Sequence, residues 1–242
     1  MKYEQQVACG IAATVRDRSK DLLISGVSTL SVTKQLATMV KELGGTSGTL
    51  GYGGFPDHVC ISVNDGIAHG FGKEDEILKD GDVVKIDVVV KYRGWFGDTA
   101  YTYVVGGAKA YPDIHKFLKT VERALLGSLS VIRAGISVRC IGRTLDKEIS
   151  SKGYTTIRGL SGHGIGQQVH QEPRVESYDE PTNDYILQEG DVIAVEPLVS
   201  MGKGGGIVLD NDGFLWRTSD KSIAAHFEHT IEVLKEGYKI WT

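Results

Sequence analysis

Two acids stand where a strand interior would bury them. Asp87 lies within the run VVKIDVVV (83–90), a β-branched apolar stretch in which Asp is depleted and an unpaired carboxylate is costly. A second strand spans residues 95–105, and folding the hairpin about Tyr92 and Arg93 sets Asp98 directly opposite Asp87. Opposed side chains have Cβ atoms about 5 Å apart, where like charges repel. Facing carboxylates in an apolar hairpin need a shared proton or a cation. Otherwise one of them faces solvent at the sheet edge, and the hairpin alone does not choose.

Three further residues break their local pattern. His163 sits in SGHGIG (161–166), followed by His170; glycines on both sides let the backbone pass close to a neighbour, although a histidine in such a loop is also an ordinary loop residue. Glu196 interrupts IAVEPLV and Glu228 stands in HFEHTIEVL; each alone fits an edge strand or a salt bridge. Taken together, Asp87, Asp98, His163, Glu196 and Glu228 form a more specific set. Two divalent cations neutralise four carboxylates. Oxygen ligands with one imidazole favour Mn, Fe(II), Co or Zn, and bridging carboxylates hold two ions close, as in two-metal hydrolases.

The elements that must position these residues follow from periodicity. Val7, Ile11, Val15, Leu22 and Leu23 predict a helix over 3–23, ended by Gly26. Ser31 reads as the N-cap of a second helix carrying Val32, Leu36, Met39, Val40 and Leu43, closed at Gly44 and Gly45. Residues 45–58 read as irregular, 59–63 as a strand, and Asn64, Asp65 and Gly66 as a turn. A long helix starts at Pro112 and runs to Gly135; a shorter one, capped by Ser137, runs to Gly153. Strands are expected at 154–158, 192–200, 207–209, 213–217 and 229–234. One internal echo links KDGDVVKID (79–87) to QEGDVIAVE (188–196): a Gly-Asp turn opens a strand that places an acid among apolar residues.

Composition bounds the class. The 242 residues suit one compact domain, 1–242. With 41% hydrophobic and 24% charged residues the chain is not disordered, and a net charge of −4 argues against a broadly basic nucleic-acid or membrane-surface protein. Cys9, Cys60 and Cys140 form neither a disulfide framework nor a CxxC site, which suggests a reducing compartment; Cys9 and Cys140 fall on helix faces as core residues. No apolar run reaches the ~18 residues of a membrane span, and Lys2, Glu4, Arg16, Asp17, Arg18 and Lys20 break up the first twenty residues, so no signal peptide is expected.

Six stretches together resemble type I methionine aminopeptidases: SVNDGIAHG (62–70), DGDVVKIDVVV (80–90), GWFGDTAYTYVVG (94–106), GHGIGQQVHQEPRV (162–175), GDVIAVEPLV (190–199) and SIAAHFEHTIEV (222–233). The resemblance implies the pita-bread fold, a pseudo-twofold α/β (α+β) structure with a central antiparallel sheet and helices on its outer face; the echo fits that symmetry. It implies that Asp87 binds the first of two metal ions, that Asp98 and Glu228 bridge both, and that His163 and Glu196 complete the second. His69 and His170 match the family's two non-ligand histidines. The implied activity is removal of the N-terminal methionine, before a small second residue, by hydroxide generated at the dinuclear centre. Glu196 would help take the proton, His170 would stabilise the oxyanion, and His69 would hold the scissile amide. The substrates would be nascent polypeptide N-termini in the cytoplasm, with the ribosome as one place of encounter; a monomer is implied, with no membrane and no direct nucleic-acid site. Thr99 and Thr230 are either supporting hydroxyls or plain strand threonines.

The side-chain pocket departs from the resemblance. Bacterial relatives line it with Cys, Tyr, an aromatic, Cys, Phe and Trp; the matching positions here are Thr49, Tyr52, Phe55, Cys60, Val169 and Phe214. The alternatives are therefore a related pita-bread aminopeptidase with relaxed first-residue specificity, or a non-catalytic binding member. A non-catalytic member would lose ligands, and all five are present. The family's extension before the first helix is almost absent from this sequence, as is the large N-terminal domain of proline-specific relatives.

Overall fold

β-Branched runs separated by left-handed glycine turns build four antiparallel sheets in the computed structural model, which describes residues 2–242. One sheet joins β1 (Thr46–Ser47), β2 (Cys60–Val63), β4 (Val83–Tyr92) and β5 (Trp95–Val104). A five-stranded sheet runs β15 (Tyr238–Ile240), β14 (His229–Val233), β9 (Val192–Val195), β7 (Gly162–Gly164) and β8 (Gln171–Val175). Two small sheets close the ends: β3 (Gly66–Ala68) with β12 (Trp216–Thr218) and β11 (Ile207–Leu209), and β6 (Thr155–Thr156) with β10 (Leu198–Ser200) and β13 (Ala224–His226).

The period of two along each strand decides what faces where. Val84, Ile86, Val88 and Val90 of β4 pack with Ile11, Ala12 and Val15 of α1 (Lys2–Ser19) and with Val32, Leu36 and Val40 of α2 (Thr29–Glu42). Ile193 and Val195 of β9 and Ile231 and Val233 of β14 pack with α3 (Pro112–Leu129) and α4 (Arg139–Ser150). The opposite faces, carrying Asp87, Asp98 and Glu196, turn away from the helices.

The internal echo is a structural repeat. Gly26 N–H bonds to Leu78 O and Gly135 N–H to Leu187 O, both at 2.8 Å. Asp82 Oδ2 accepts from Lys79 N as Asp191 Oδ2 accepts from Gln188 N, each at 2.8 Å. Isolated bridges pair Ser28 with Ile77 and Ser137 with Ile186. The two leaves are therefore built alike and face each other across a pseudo-twofold axis.

Several boundaries differ from expectation. The hairpin turns on Arg93 and Gly94, both left-handed (φ 48° and 88°), the two-residue geometry that matches strand twist. Tyr92 then pairs with Trp95, Asp87 with Ala100 and Asp98 with Val89. Asp87 and Asp98 are diagonal neighbours on one face, not directly opposed. α2 is capped by Ser28, whose Oγ accepts from Ser31 N, and not by Ser31. α3 stops at Leu129, short of Gly135. The strand over 192–200 breaks at Glu196 and Pro197, because proline has no N–H for a ladder. Cys9 is buried as expected; Cys140 is only partly so.

Lys85 is an anomaly that periodicity does not reveal: it is 1% exposed on the Asp87 face of β4. Its Nζ donates to Asn64 O (2.7 Å) and Val83 O (3.2 Å), carbonyls already bonded by Ala224 N and Asn64 N. Burial pushes the amine down to about 7, so its charged form costs the fold on the order of 4 kcal/mol. A depressed folded value means that stability is lost as pH falls towards it. Lys85→Met should therefore raise Tm by roughly 10 °C at pH 6, with a smaller gain at pH 9. Melting curves at the two pH values check this; an equal or larger gain at pH 9 refutes it.

Candidate metal centre

Each acid is held by a different piece of backbone. Asp87 and Asp98 come from the β4–β5 hairpin, Glu196 from the break between β9 and β10, and Glu228 from the link between β13 and β14. His163 is the middle residue of β7. A Cβ on Gly162 would lie 2.3 Å from Ala194 O, and one on Gly164 2.1 Å from Glu172 O. The two glycines let three strands close around the histidine. The leaves are stitched where the ligand-bearing residues lie: Thr99 Oγ1 donates to Glu228 O (2.8 Å), Glu228 N to Ala100 O (2.9 Å) and Thr230 Oγ1 to Asp98 O (2.7 Å). Thr99 thus supports the backbone of Glu228 and Thr230 that of Asp98, each from the opposite leaf, and Arg16 Nη1 in turn donates to Thr99.

These side chains converge without satisfying one another. Asp98, His163 and Glu228 each offer one ligand atom within 4.8 Å of the others. His163 Nε2 lies 3.8 Å from Asp98 Oδ2 and 3.5 Å from Glu196 Oε1. Its Nδ1 is 3.0 Å from Gly164 O; a carbonyl only accepts, so Nδ1 is the donor there and Nε2 is the nitrogen turned to the carboxylate oxygens. Asp87 Oδ1, Asp98 Oδ1 and Glu228 Oε1 are buried with no hydrogen-bond partner. Unpartnered carboxylate oxygens in a buried site call for a shared proton or a cation, and an imidazole whose other nitrogen donates to a backbone carbonyl is the usual form of a histidine ligand. The residues fit a divalent metal.

The carboxyl shifts follow from the same crowding. Burial, reinforced by neighbouring acids, raises the carboxyls of Asp87, Asp98 and Glu228, the last two well above the ordinary range. Burial acts on Glu196 too, but contact with His226 outweighs it and leaves that carboxyl lowered.

A cavity of about 410 Å³ opens over the cluster. All the residues expected at the site from the sequence line it: the five ligands, His69, His170, and the pocket positions Thr49, Tyr52, Phe55, Cys60, Val169 and Phe214. Phe55 and Phe214 meet edge to face at 5.7 Å, with Phe71 completing a trio at 6.5 and 6.2 Å. Tyr52 OH is 2.9 Å from His170 Nδ1, and the His170 ring stands at 76° to that of His163, 4.3 Å away. Burial pushes His170 down to about 4, so it is neutral at pH 7. His69 is left-handed (φ 59°), a conformation rare for a side-chain residue and typical of strained functional positions.

Two residues were not anticipated. Phe71 follows His69 by two places and carried no pattern signal. His226, 2% exposed, lines the cavity with Nε2 3.0 Å from Glu196 Oε2 and 3.9 Å from Glu228 Oε2. Its signal was available: a polar ring in the otherwise apolar β13.

A family model, metallopeptidase family M24, matches residues 4–235. The methionine aminopeptidase of Escherichia coli (strain K12) is 35% identical over 240 residues, covering 99% of this chain and 90% of that protein. Crystal structures of methionine aminopeptidases superpose closely: that of Thermotoga maritima has a TM-score of 0.94 at 29% identity, covering 99% of this chain and 95% of that one. That of Rickettsia prowazekii has a TM-score of 0.92 at 33% identity, covering 99% and 96%. No described helix is long and apolar enough to cross a membrane.

Proposed function

The chain belongs to metallopeptidase family M24 and, within it, to the methionine aminopeptidases; from this premise we propose that it is a dinuclear metallohydrolase that excises the N-terminal methionine of peptides whose second residue is small. The observation that carries this is the convergence of the His163 lone pair and unpartnered carboxylate oxygens on one point under an open cavity. Asp98, His163 and Glu228, with Glu196, would hold one divalent ion; Asp87, with Asp98 and Glu228 as bridges, would hold a second. Manganese, Fe(II), cobalt and zinc all suit this donor set. When bound, such ions supply Lewis acidity and an activated water.

The chain's own residues do the rest. Glu196, its carboxyl kept low, is ionised at neutral pH and can accept the proton that water gives up. His170 is neutral, and Tyr52 OH can donate to its Nδ1, which leaves the proton on Nε2 free to donate to the developing oxyanion. His69 reaches the scissile amide. Phe55, Phe214, Val169 and Cys60 form the wall for the substrate's first side chain. The enzyme acts as a monomer on nascent chains in the cytoplasm.

The pocket sets a testable specificity. Val169 and Phe214 occupy positions where bulkier residues would tighten the wall. One methylene in an apolar pocket is worth about 1–3 kcal/mol, roughly 10–200-fold, and a looser wall uses less of it. Leu-Ala-Ser should be cleaved within ~100-fold of Met-Ala-Ser, and Val169→Phe should widen the gap. Measuring kcat/KM for both peptides, in wild type and variant, with each of the four metals in turn, tests activity and pocket together. A gap well above ~10³ that the variant leaves unchanged would show that position 169 does not set the pocket. No turnover with any metal would refute the activity.

A further inference from the structure

His226 has no part in the reaction as assigned above, yet it is the group in closest polar contact with Glu196. Its ring is buried, and neither ring nitrogen has an aligned hydrogen-bond partner. The two oxygens of Glu196 face different imidazoles: Oε1 lies 3.5 Å from His163 Nε2, and Oε2 lies 3.0 Å from His226 Nε2. These contacts differ in kind. His163 donates through Nδ1 to Gly164 O and would turn its Nε2 lone pair to a bound metal, which leaves it no donor for Glu196. Among the described residues, His226 is thus the N–H within reach of the Glu196 side chain. The 3.0 Å separation is bonding distance, and a small rotation of the carboxylate brings it onto the N–H axis.

His226 lies outside the trio of Asp98, His163 and Glu228 whose ligand atoms stand within 4.8 Å of one another, as Asp87 and Glu196 do. Its Nε2 instead stands between two acids, 3.0 Å from Glu196 and 3.9 Å from Glu228. The backbone holds it there. His226 pairs with Leu198, two residues after Glu196, and Thr102 Oγ1 both accepts from His226 N (2.9 Å) and lies 2.6 Å from His226 O. The ring on β13 and the carboxylate two residues ahead of β10 are therefore set by the register of that strand pair.

We propose that His226 is a positioning residue for Glu196: through Nε2–H it fixes the carboxylate rotamer, so that Oε1 faces the metal centre and the other oxygen is held away from it. The inference rests on the dinuclear reading of the site. Without this donor, Glu196 is free to swing both oxygens towards the metals, and the residue that should accept a proton becomes a chelating ligand.

The test uses the full chain with His226→Leu, which removes the donor, His226→Gln, whose amide N–H can reach the same oxygen, and His226→Asn, whose amide falls one methylene short. In metal-loaded protein with Met-Ala-Ser, Leu and Asn should lower kcat at least tenfold with KM within threefold, and Gln should restore most of the loss. The second readout needs no turnover. With Co(II) as probe, the visible absorption band should shift in Leu and Asn and return in Gln, because the carboxylate coordinates differently. A wild-type band and a kcat within twofold in both Leu and Asn would overturn the proposal, as would Gln behaving like Leu at wild-type Tm. If Leu does not fold, Asn decides. Absence of Met-Ala-Ser turnover in the wild type would sink the activity assignment instead, and the Co(II) bands would still decide the role of His226.

Discussion

Asp98→Asn should leave a folded protein that has lost both its metal and its activity. Asp98 is buried among Asp87, Glu228 and the His163 lone pair, and its burial in that company already raises its carboxyl well above the usual range. The amide removes one negative charge from a site that balances cations, and it replaces an acceptor by a donor aimed at them. Loss of supporting groups outside the ligand set typically costs 10–100-fold in metal affinity; loss of a bridging ligand should cost more. The expected result is under one tenth of the wild-type metal content and a fall in kcat/KM of at least ~10³, or about 4 kcal/mol. His170→Ala provides the contrast. That ring touches Tyr52 and stands over His163 without reaching an acid, so full metal content should remain while kcat falls roughly 10²–10³-fold, the size of one oxyanion donor. Elemental analysis beside steady-state kinetics separates the two. Stoichiometric metal in Asp98→Asn, or loss of metal in His170→Ala, reverses the assignments.

Removing the metal from the wild type should abolish turnover and lower Tm, by an amount that grows with pH. A ligand at 1,000 times its Kd stabilises the native state by about 4 kcal/mol, which for a chain of this size shifts Tm by about 10 °C. The sign of the pH dependence follows from the direction of the shifts. Asp87, Asp98 and Glu228 are raised in the fold. Their contribution to the metal-free protein is complete below the unfolded value and is lost as pH rises through the folded ones. The metal-free protein should therefore fare best in mild acid. The loaded protein needs the same groups ionised, so its advantage widens upward. Lys85 affects both forms and cancels in the difference. Paired melting curves after chelator dialysis and after metal re-addition, at pH 5, 6 and 7.5, measure the gap. A gap that narrows as pH rises, or full activity in excess chelator, contradicts the cation-balanced site.

The site was more legible in the sequence than the fold that builds it. Asp87, Glu196 and Glu228 announced themselves as acids in apolar strands, where only a partner or an ion tolerates them. Register was the weaker inference: the Arg93–Gly94 turn moved Asp98 from opposite Asp87 to the diagonal, yet a shift by two residues preserves the face, so the chemistry survived the error. β7 and β8 were missed because the glycines around His163 and the proline in β8 erase the alternation that marks a strand. Those glycines are needed because Ala194 and Glu172 carbonyls press in from both sides. The pocket positions came from resemblance alone, since Thr49 or Val169 carries no local signal. Lys85 carried no signal for the opposite reason, since a lysine in a strand is unremarkable until burial is known, whereas His226 could have been found as the polar ring in apolar β13.

The stitching of the two leaves bears on where the molecule is held together. Asp87 and Asp98 belong to one leaf; His163, Glu196 and Glu228 belong to the other, and Thr99, Thr102 and Thr230 close the seam between them. Each leaf has its own pair of helices over an apolar cluster, and Val83, Tyr101 and Val104 of the first leaf reach into the cluster of the second. The four carboxylates meet only where the two leaves join, so the electrostatic penalty of a metal-free site is borne at the seam. A bound cation would relieve it there, and would so strengthen the join between the leaves more than either leaf alone.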